Sequence, residues 1–227
     1  RHMFDDFSPY IFKTTDGGKT FVNIAGDLPR SAYVQVVKED PRNPQLLYAG
    51  TELGLFVSYE GGLKWQPLLM KNMPRVAVHD LLVHPRDNDL VVATHGRGIA
   101  IFDDAAALQQ MTPAIAAARA HLFAPREGLR INRTSNYAMM GDDGFYGPNP
   151  PAGALLTYHL ASKPAKEKPL KLHIFDAGGG KVAEVKNPAA EAGLNRAAWN
   201  LRFDAPKPRR EATGDEADAE GGRGGAT

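Results

Sequence analysis

A glycine-rich turn that recurs at a fixed interval constrains the fold of this chain more than any other feature. Residues 14–21 read Thr-Thr-Asp-Gly-Gly-Lys-Thr-Phe and lie between short apolar runs at residues 10–13 and 21–24. Asp-Gly-Gly between apolar runs predicts a β-hairpin, because glycine accepts the positive φ that tight turns require. Residues 58–65 read Ser-Tyr-Glu-Gly-Gly-Leu-Lys-Trp, a weaker copy 44 positions further on. The recurrence predicts a fold in which one structural unit is used more than once.

The same 44-residue offset holds outside the turns. When residues 34–58 are placed on residues 78–102 without a gap, Leu46 falls on Leu90 and Gly54 falls on Gly98. Each repeat is predicted to contain four short strands, which in the complete repeat are residues 33–38, 46–50, 54–58 and 64–69. Four strands in about 40–50 residues is typical of one blade of a β-propeller, and a generic antiparallel meander is the alternative.

The turns carry a recognisable motif. Ser/Thr-x-Asp-x-Gly-x-Thr-Trp/Phe is the Asp-box, or BNR repeat, and the positions assigned to it are Thr14, Asp16, Gly18, Thr20 and Phe21 in the first copy and Ser58, Glu60, Gly62 and Trp65 in the second. The second copy departs from the motif at Glu60 and Lys64. With the phrases at residues 9–16, 47–52 and 91–97, residues 1–205 resemble bacterial BNR-repeat proteins described as glycosyl-hydrolase-like or sortilin-like. The resemblance implies a β-propeller.

The repeats are expected to end near residue 103. Asp103 and Asp104 precede an alanine-rich run, which predicts a helix with an aspartate N-cap, and Thr112-Pro113 predicts a second helical start. Residues 1–103 would then hold about two and a half four-stranded blades, and residues 104–120 a helical connector. A closed propeller needs at least about four blades. We therefore expect a C-terminal piece of a longer chain that supplies the remaining blades, which the opening Arg-His-Met also favours.

Residues 121–205 are predicted to form a second β-rich module. Strands are expected at residues 153–160, 170–176, 181–185 and 194–203, after a loop around residues 140–151 that is rich in glycine and proline. The pattern favours a small immunoglobulin-like β-sandwich, similar to the accessory domains that follow bacterial propellers. Residues 206–227 are acidic and glycine-rich with almost no apolar side chains, which predicts disorder. The fold class expected for the ordered chain is all-β.

The composition excludes several classes of function. The 227 residues carry a net charge of +1, so no global basic field exists that would attract nucleic acid or an anionic membrane surface. The absence of cysteine excludes disulfides, thiolate metal sites and a thiol nucleophile. No apolar run approaches the roughly 18–20 residues of a membrane helix. The family resemblance implies a periplasmic or extracellular protein whose export signal would lie upstream.

Asp16 is the most conspicuous carboxylate, but the resemblance implies a structural role for it, because Asp-box turns lie on the propeller face opposite the ligand. The loops expected on the other face carry Arg30, Glu52, Arg75, His95 and Arg97, and Asp80 joins these candidate ligand-binding residues by position. Clustered arginines bind carboxylate or sulfate through paired hydrogen bonds. The alternative is that each arginine is solvated or pairs locally. Trp65 and Trp199 are predicted to be core residues rather than sugar platforms.

No catalytic residue, metal ligand or cofactor is predicted. Glu52 and Asp80 are candidate acids of a glycosidase by position only, since hydrolysis with inversion needs two carboxylates roughly 6.5–9.5 Å apart. His79 and His84 are expected to face opposite sides of one strand, so they would not share a metal ion. Asp142 and Asp143 offer too few oxygen ligands for calcium. The sequon at residues 132–134 is a pattern that is common by chance.

The sequence thus favours an exported propeller that binds or scaffolds glycan or protein ligands and is non-catalytic as this piece. Two alternatives stay open. One is a xyloglucanase- or sialidase-like glycoside hydrolase whose main acids lie in upstream blades. The other is a sortilin-like receptor for peptides.

Overall fold

The computed structural model describes residues 2–128 and 149–204. Within these ranges the fold is all-β, as predicted, with antiparallel sheets and two short helices. A single 3₁₀ turn, His2–Phe4, precedes the first strand. The loop expected at residues 140–147, the Asp142–Asp143 pair, the sequon and the acidic tail lie outside the described residues.

The first half of the chain forms a two-stranded ribbon and two sheets. The ribbon consists of β1 (Phe12–Lys13) and β2 (Val22–Asn23). The sheet that follows, here called the first repeat sheet, is an antiparallel meander of β3 (Val34–Glu39), β4 (Leu47–Thr51), β5 (Gly54–Ser58) and β6 (Gln66–Pro67). The second repeat sheet consists of β7 (Val78–Val83), β8 (Leu90–Thr94) and β9 (Ile99–Phe102). The four-stranded prediction is confirmed for the first repeat sheet, although β6 is shorter than expected.

The first repeat sheet is buried on both faces. On one face Leu47, Ala49 and Trp65 pack with ribbon-side residues such as Ile11 and Leu28. On the other face a second cluster joins the two repeat sheets, and its members are Leu46, Tyr48, Leu55, Val57, Val78, Leu81, Val83, Leu90, Val92 and Leu108. Successive side chains of a strand point to opposite faces. Strand β4 therefore contributes alternate residues to two cores, which explains its uninterrupted apolar sequence.

The two repeat sheets correspond, but not through a single ungapped offset. Strands β3 and β7 start 44 positions apart, whereas β4 and β8 start 43 positions apart, at Leu47 and Leu90. The turn before β8 is one residue shorter than the turn before β4, and the hairpin after β8 is one residue longer. Leu90 therefore corresponds to Leu47, and the sequence-based match with Leu46 is wrong by one residue. The shorter turn and the longer hairpin cancel, so the 44-residue offset returns after β8 and hides the shift.

Both inner strands begin with an irregularity at the same place. The pairing of β3 with β4 shifts between Val34 and Val36, and the pairing of β7 with β8 shifts between Val78 and Asp80. The extra residues are Gln35 and His79. A bulge redirects the side chain of the inserted residue, so strict alternation does not describe the start of either strand.

Two helices leave the second repeat sheet. Helix α1 (Ala106–Gln110) has Ala105 at its N-cap, one residue later than the predicted aspartate. Asp104 lies one position further out with a φ of 52°, and its N–H donates to the Asp89 carboxylate at 2.9 Å. Asp104 Oδ1 still accepts the Ala106 N–H at 3.1 Å, so an aspartate does bind the first turn of the helix. Helix α2 (Pro113–Ala117) begins as predicted, because Thr112 Oγ1 accepts the Ile115 N–H at 3.2 Å.

The remaining strands form a three-stranded sheet and a hairpin. The sheet has the order β10 (Ala120–Leu122), β11 (Ala154–Leu160) and β14 (Gly193–Trp199), and the hairpin pairs β12 (Leu172–Phe175) with β13 (Lys181–Val185). The four strands predicted here are each present, with β14 ending earlier than expected. Arg196 of β14 lies 4.9 Å over the Phe102 ring of β9, so this sheet contacts the end of the second repeat sheet.

Candidate functional site

The hairpins of the repeat sheets lie at two opposite edges. The turns at residues 58–65 and at residues 40–46 lie at one edge, since Ser58 pairs with Leu47. The first glycine-rich turn lies at the same edge, because Thr15 and Thr20 line a cavity together with Glu60 and Gly61. The β4–β5 and β8–β9 hairpins lie at the other edge. We call these the turn edge and the strand-end edge.

The first turn is filled by its own hydrogen bonds. Asp16 Oδ1 accepts the N–H groups of Lys19 and Thr20 at 3.0 and 2.9 Å, and Oδ2 accepts the Thr20 hydroxyl at 2.7 Å. Thr14 Oγ1 donates to Asp16 and accepts the Gly18 N–H at 2.9 Å. These bonds, led by the one from the Thr20 hydroxyl, lower the Asp16 pKa to about 2. The carboxylate is committed to the turn, which suits a structural role rather than proton transfer.

The second turn keeps the backbone pattern without the carboxylate. Ser58 Oγ accepts the Gly62 N–H at 2.9 Å, as Thr14 does for Gly18, and the glycines again adopt positive φ. Trp65 is buried as expected, and its backbone N–H donates to Asp27 Oδ1 at 2.8 Å, whereas its indole N–H donates to the Ile24 carbonyl at 2.8 Å. The Phe21 ring, by contrast, is 61% exposed. Phe21 precedes β2 and lies on the ribbon, where no further sheet of the described chain covers it.

The strand-end edge of the first repeat sheet carries a tyrosine–glutamate pair. The Tyr33 hydroxyl donates to Glu52 Oε2 at 2.8 Å, and this hydrogen bond raises the Tyr33 pKa. The Glu52 N–H donates to the Tyr33 carbonyl at 3.2 Å, which fixes the hairpin against the start of β3. Glu52 was singled out from the sequence. Tyr33 was not, although its position directly before a predicted inner strand is a usable signal.

The strand-end edge of the second repeat sheet carries a pair of histidines. The His79 and His95 rings lie with centroids 4.9 Å apart, and both residues are exposed. The His95 N–H donates to the Ala77 carbonyl, the same contact that Glu52 makes with Tyr33 in the first sheet. The sequence predicted that His79 and His84 face opposite sides of one strand and named His95 as a ligand-binding candidate. It did not predict the contact between His95 and His79, because the bulge at His79 is not visible in the pattern. His84 lies beyond β7, where its Nδ1 accepts the Asp87 N–H at 3.2 Å.

The other candidates lie on or near the same edge but do not converge. Arg75 lines a shallow depression beside the β4–β5 hairpin, and Arg97 lies within the β8–β9 hairpin. Arg30 lies in the turn that leads to β3. None of these three guanidinium groups makes a hydrogen bond or an ion pair within residues 2–128 and 149–204. Asp80 lies along β7, and its Oδ1 is 3.8 Å from Lys38 Nζ.

Further properties limit what the site can hold. In the described part of the chain, no group of three or more His, Asp or Glu side chains is placed to hold a metal ion. The helices described are all too short to cross a membrane.

Comparison with protein-family models, with curated proteins and with solved structures finds no match. The resemblance to BNR-repeat proteins therefore stays a prediction from the motif.

Proposed function

We propose that this chain is part of an Asp-box β-propeller that binds a glycan or protein ligand at the strand-end edge and is not catalytic by its described residues. The observation that carries the proposal is the correspondence of two exposed side chains, Glu52 and His95, in the hairpins of consecutive sheets. Each lies beside a ring, because Glu52 accepts the Tyr33 hydroxyl and His95 contacts His79. The turn edge, by contrast, uses its polar side chains internally.

The propeller part of the proposal is supported by an uncovered sheet face. Leu55 and Val57 of β5 are 3% and 1% exposed because the second repeat sheet covers them. The corresponding residues of β9, Ile99 and Ile101, are 70% and 59% exposed. Apolar side chains at a repeated packing position favour a neighbouring sheet of the same kind. Further blades of a longer chain are the occupant that fits, with residues 121–205 as a trailing β-sandwich.

Binding is favoured over glycoside hydrolysis by the state of the two candidate acids. Glu52 accepts the Tyr33 hydroxyl, and Asp80 is close to Lys38, with 70% of its side chain exposed. A general acid of a glycosidase needs a site that holds its proton near neutral pH, usually by burial. Neither carboxylate has such surroundings. Both can still accept hydrogen bonds from sugar hydroxyls or peptide N–H groups.

The test is a binding screen with xyloglucan oligosaccharides, sialyllactose and a panel of unstructured peptides, using the whole chain. For a ligand that binds, we expect Glu52→Gln and His95→Ala to weaken binding about tenfold, as loss of hydrogen bonds to a ligand does. The matched turn-edge variants Glu60→Gln and Lys19→Ala should bind as the parent does. If the turn-edge variants lost binding while they stayed folded, the ligand would bind at the turn edge, and the proposal would be wrong.

A hydrolysis assay on the same saccharides distinguishes a binding module from a glycoside hydrolase. The proposal expects no turnover by the chain or by its Glu52→Gln and Asp80→Asn variants. Turnover that either substitution abolishes would replace the binding module with a glycoside hydrolase. Binding of peptides alone would favour the receptor alternative over a glycan-binding module.

A further inference from the structure

A basic pocket lies between the segment before β12 and the segment that starts at the end of β13. Its volume is about 570 Å³, within the roughly 300–1,000 Å³ range of small-molecule sites. Four lysines line it together with one acid, and these are Lys163, Lys166, Lys171, Lys186 and Glu184. The chain as a whole carries a net charge of +1, so the positive charge here is local.

The single acid of the pocket is already occupied. Glu184 Oε2 lies 2.5 Å from Lys181 Nζ and 3.2 Å from His173 Nε2. The hydrogen bond from Lys181 lowers the Glu184 pKa, so the carboxylate is ionised and paired with a cation that does not line the pocket. Glu184 is therefore not hydrogen-bonded to any of the four pocket lysines.

The lysines differ in what they contact. Lys163 Nζ lies 2.7 Å from Glu191 at the rim. Lys166 and Lys186 make no side-chain hydrogen bond or ion pair with any residue that the structure describes. An ammonium group has three donors and binds carboxylate, sulfate or phosphate as a point charge. Two such groups facing one cavity are available to a ligand.

The wall behind Lys186 is fixed in advance. The buried Tyr158 of β11 donates its hydroxyl to the Ala189 carbonyl at 2.5 Å. The buried Asn195 of β14 accepts the Glu191 N–H at 3.0 Å and donates to the Glu191 carbonyl at 2.6 Å. Strands β11 and β14 are a fully paired part of the sheet. This wall therefore needs little ordering on binding, which lowers the entropic cost.

We propose that this pocket binds a small polyanion, a ligand with two or more sulfate, carboxylate or phosphate groups on a saccharide-sized body. The lysines supply the charge, and Pro164, Leu170 and Val185 supply an apolar wall for the body of the ligand. This site is separate from the strand-end edge and does not depend on the function proposed there.

The test is calorimetric titration of the whole chain with a fully sulfated disaccharide at low salt. We expect the Lys166→Gln/Lys186→Gln double variant to bind about tenfold more weakly, because two charge-assisted contacts are lost. Lys64→Gln/Lys71→Gln removes the same charge from exposed lysines elsewhere and should bind as the parent does. Added salt should weaken binding of the parent.

Three outcomes would overturn the proposal. Equal weakening in both double variants would mean that only the overall charge matters. Equal binding of the unsulfated disaccharide would mean that the lysines do not select an anion. If the unsubstituted chain did not bind the sulfated disaccharide at low salt, the pocket would not be a polyanion site. All four lysines of the variants are exposed, so circular dichroism should report unchanged folding.

Discussion

The side-chain amide of Gln109 donates to both oxygens of the Asp40 carboxylate, at 3.0 and 2.9 Å. Gln109 lies in the last turn of helix α1, whereas Asp40 follows β3 in the first repeat sheet. Asp40 is 1% exposed and has no cation beside it among the described residues. It also accepts the N–H groups of Arg42 and Asn43 and the Tyr48 hydroxyl. The helix thus completes the solvation of a buried charge and is tied to a sheet that is not its neighbour in sequence.

Replacing Gln109 by alanine should destabilise the chain by about 2 kcal/mol, because a buried charged acceptor loses one of its donors. Asn88, whose amide also bonds to Gln109, loses a partner as well. The neighbouring Gln110→Ala is the control, since Gln110 bonds only to the exposed backbone of Ala124. Urea unfolding measures both variants. Equal losses in the two would show that the bond from Gln109 to Asp40 is not what stabilises the chain, since alanine itself favours helix.

The uncovered face of β9 predicts that truncation to alanine costs much less stability there than at the corresponding position of β5. Val57→Ala should cost about 1–3 kcal/mol, because it opens a cavity between the repeat sheets. Ile101→Ala removes more carbon atoms but should cost under about 1 kcal/mol in this chain, since Ile101 is exposed. Chemical unfolding compares them directly. A cost for Ile101→Ala as large as that for Val57→Ala would mean that a partner already covers the β9 face.

Gly50 shows the same asymmetry from the inside. A Cβ added there would lie 2.7 Å from the Cγ1 atoms of Val36 and Val78 and 2.8 Å from the Val78 carbonyl oxygen. Gly50→Ala should therefore destabilise by about 1–3 kcal/mol through overpacking. The corresponding position of β8 holds Ala93, on the side that no described sheet covers. Ala93→Val should be tolerated within about 0.5 kcal/mol, and thermal unfolding of both variants checks the contrast.

The strands and turns were predictable because each depends on local chemistry. The Gly-Gly pairs of the two turns mark hairpins, and apolar runs bounded by polar turns mark β4, β5 and β8. The register between repeats was not, because β4 is buried on both faces and carries no alternation that would reveal a one-residue slip. The His79–His95 pair was missed for a related reason. The bulge changes the direction of the His79 side chain. The position of its partner His95 depends on the extra residue in the β8–β9 hairpin. The alignment of Gly54 with Gly98 hides that extra residue.

Asp16 gives a prediction in pH. Its pKa is about 2 in the folded chain, against an ordinary value of 3.8. A carboxyl whose pKa falls on folding stabilises the fold when it is ionised, so this stabilisation is complete above the unfolded pKa and is lost as the pH falls through the folded one. Asp16→Asn should therefore be less stable than the parent near neutral pH. The difference should narrow between about pH 4 and pH 2.

The control for Asp16 lies in the second turn. Glu60 occupies the position 44 residues further on, but its carboxylate accepts no N–H group of its own turn among the described residues. The Leu63 N–H instead donates to the Glu60 backbone carbonyl at 3.3 Å. Glu60→Gln should therefore change stability little. Unfolding curves at several pH values, with the Asp16 carboxyl titrated by ¹³C NMR, measure both effects. An Asp16 pKa near 3.8 would mean that the turn is held by its glycines and hydroxyls alone and that the carboxylate of the motif is dispensable.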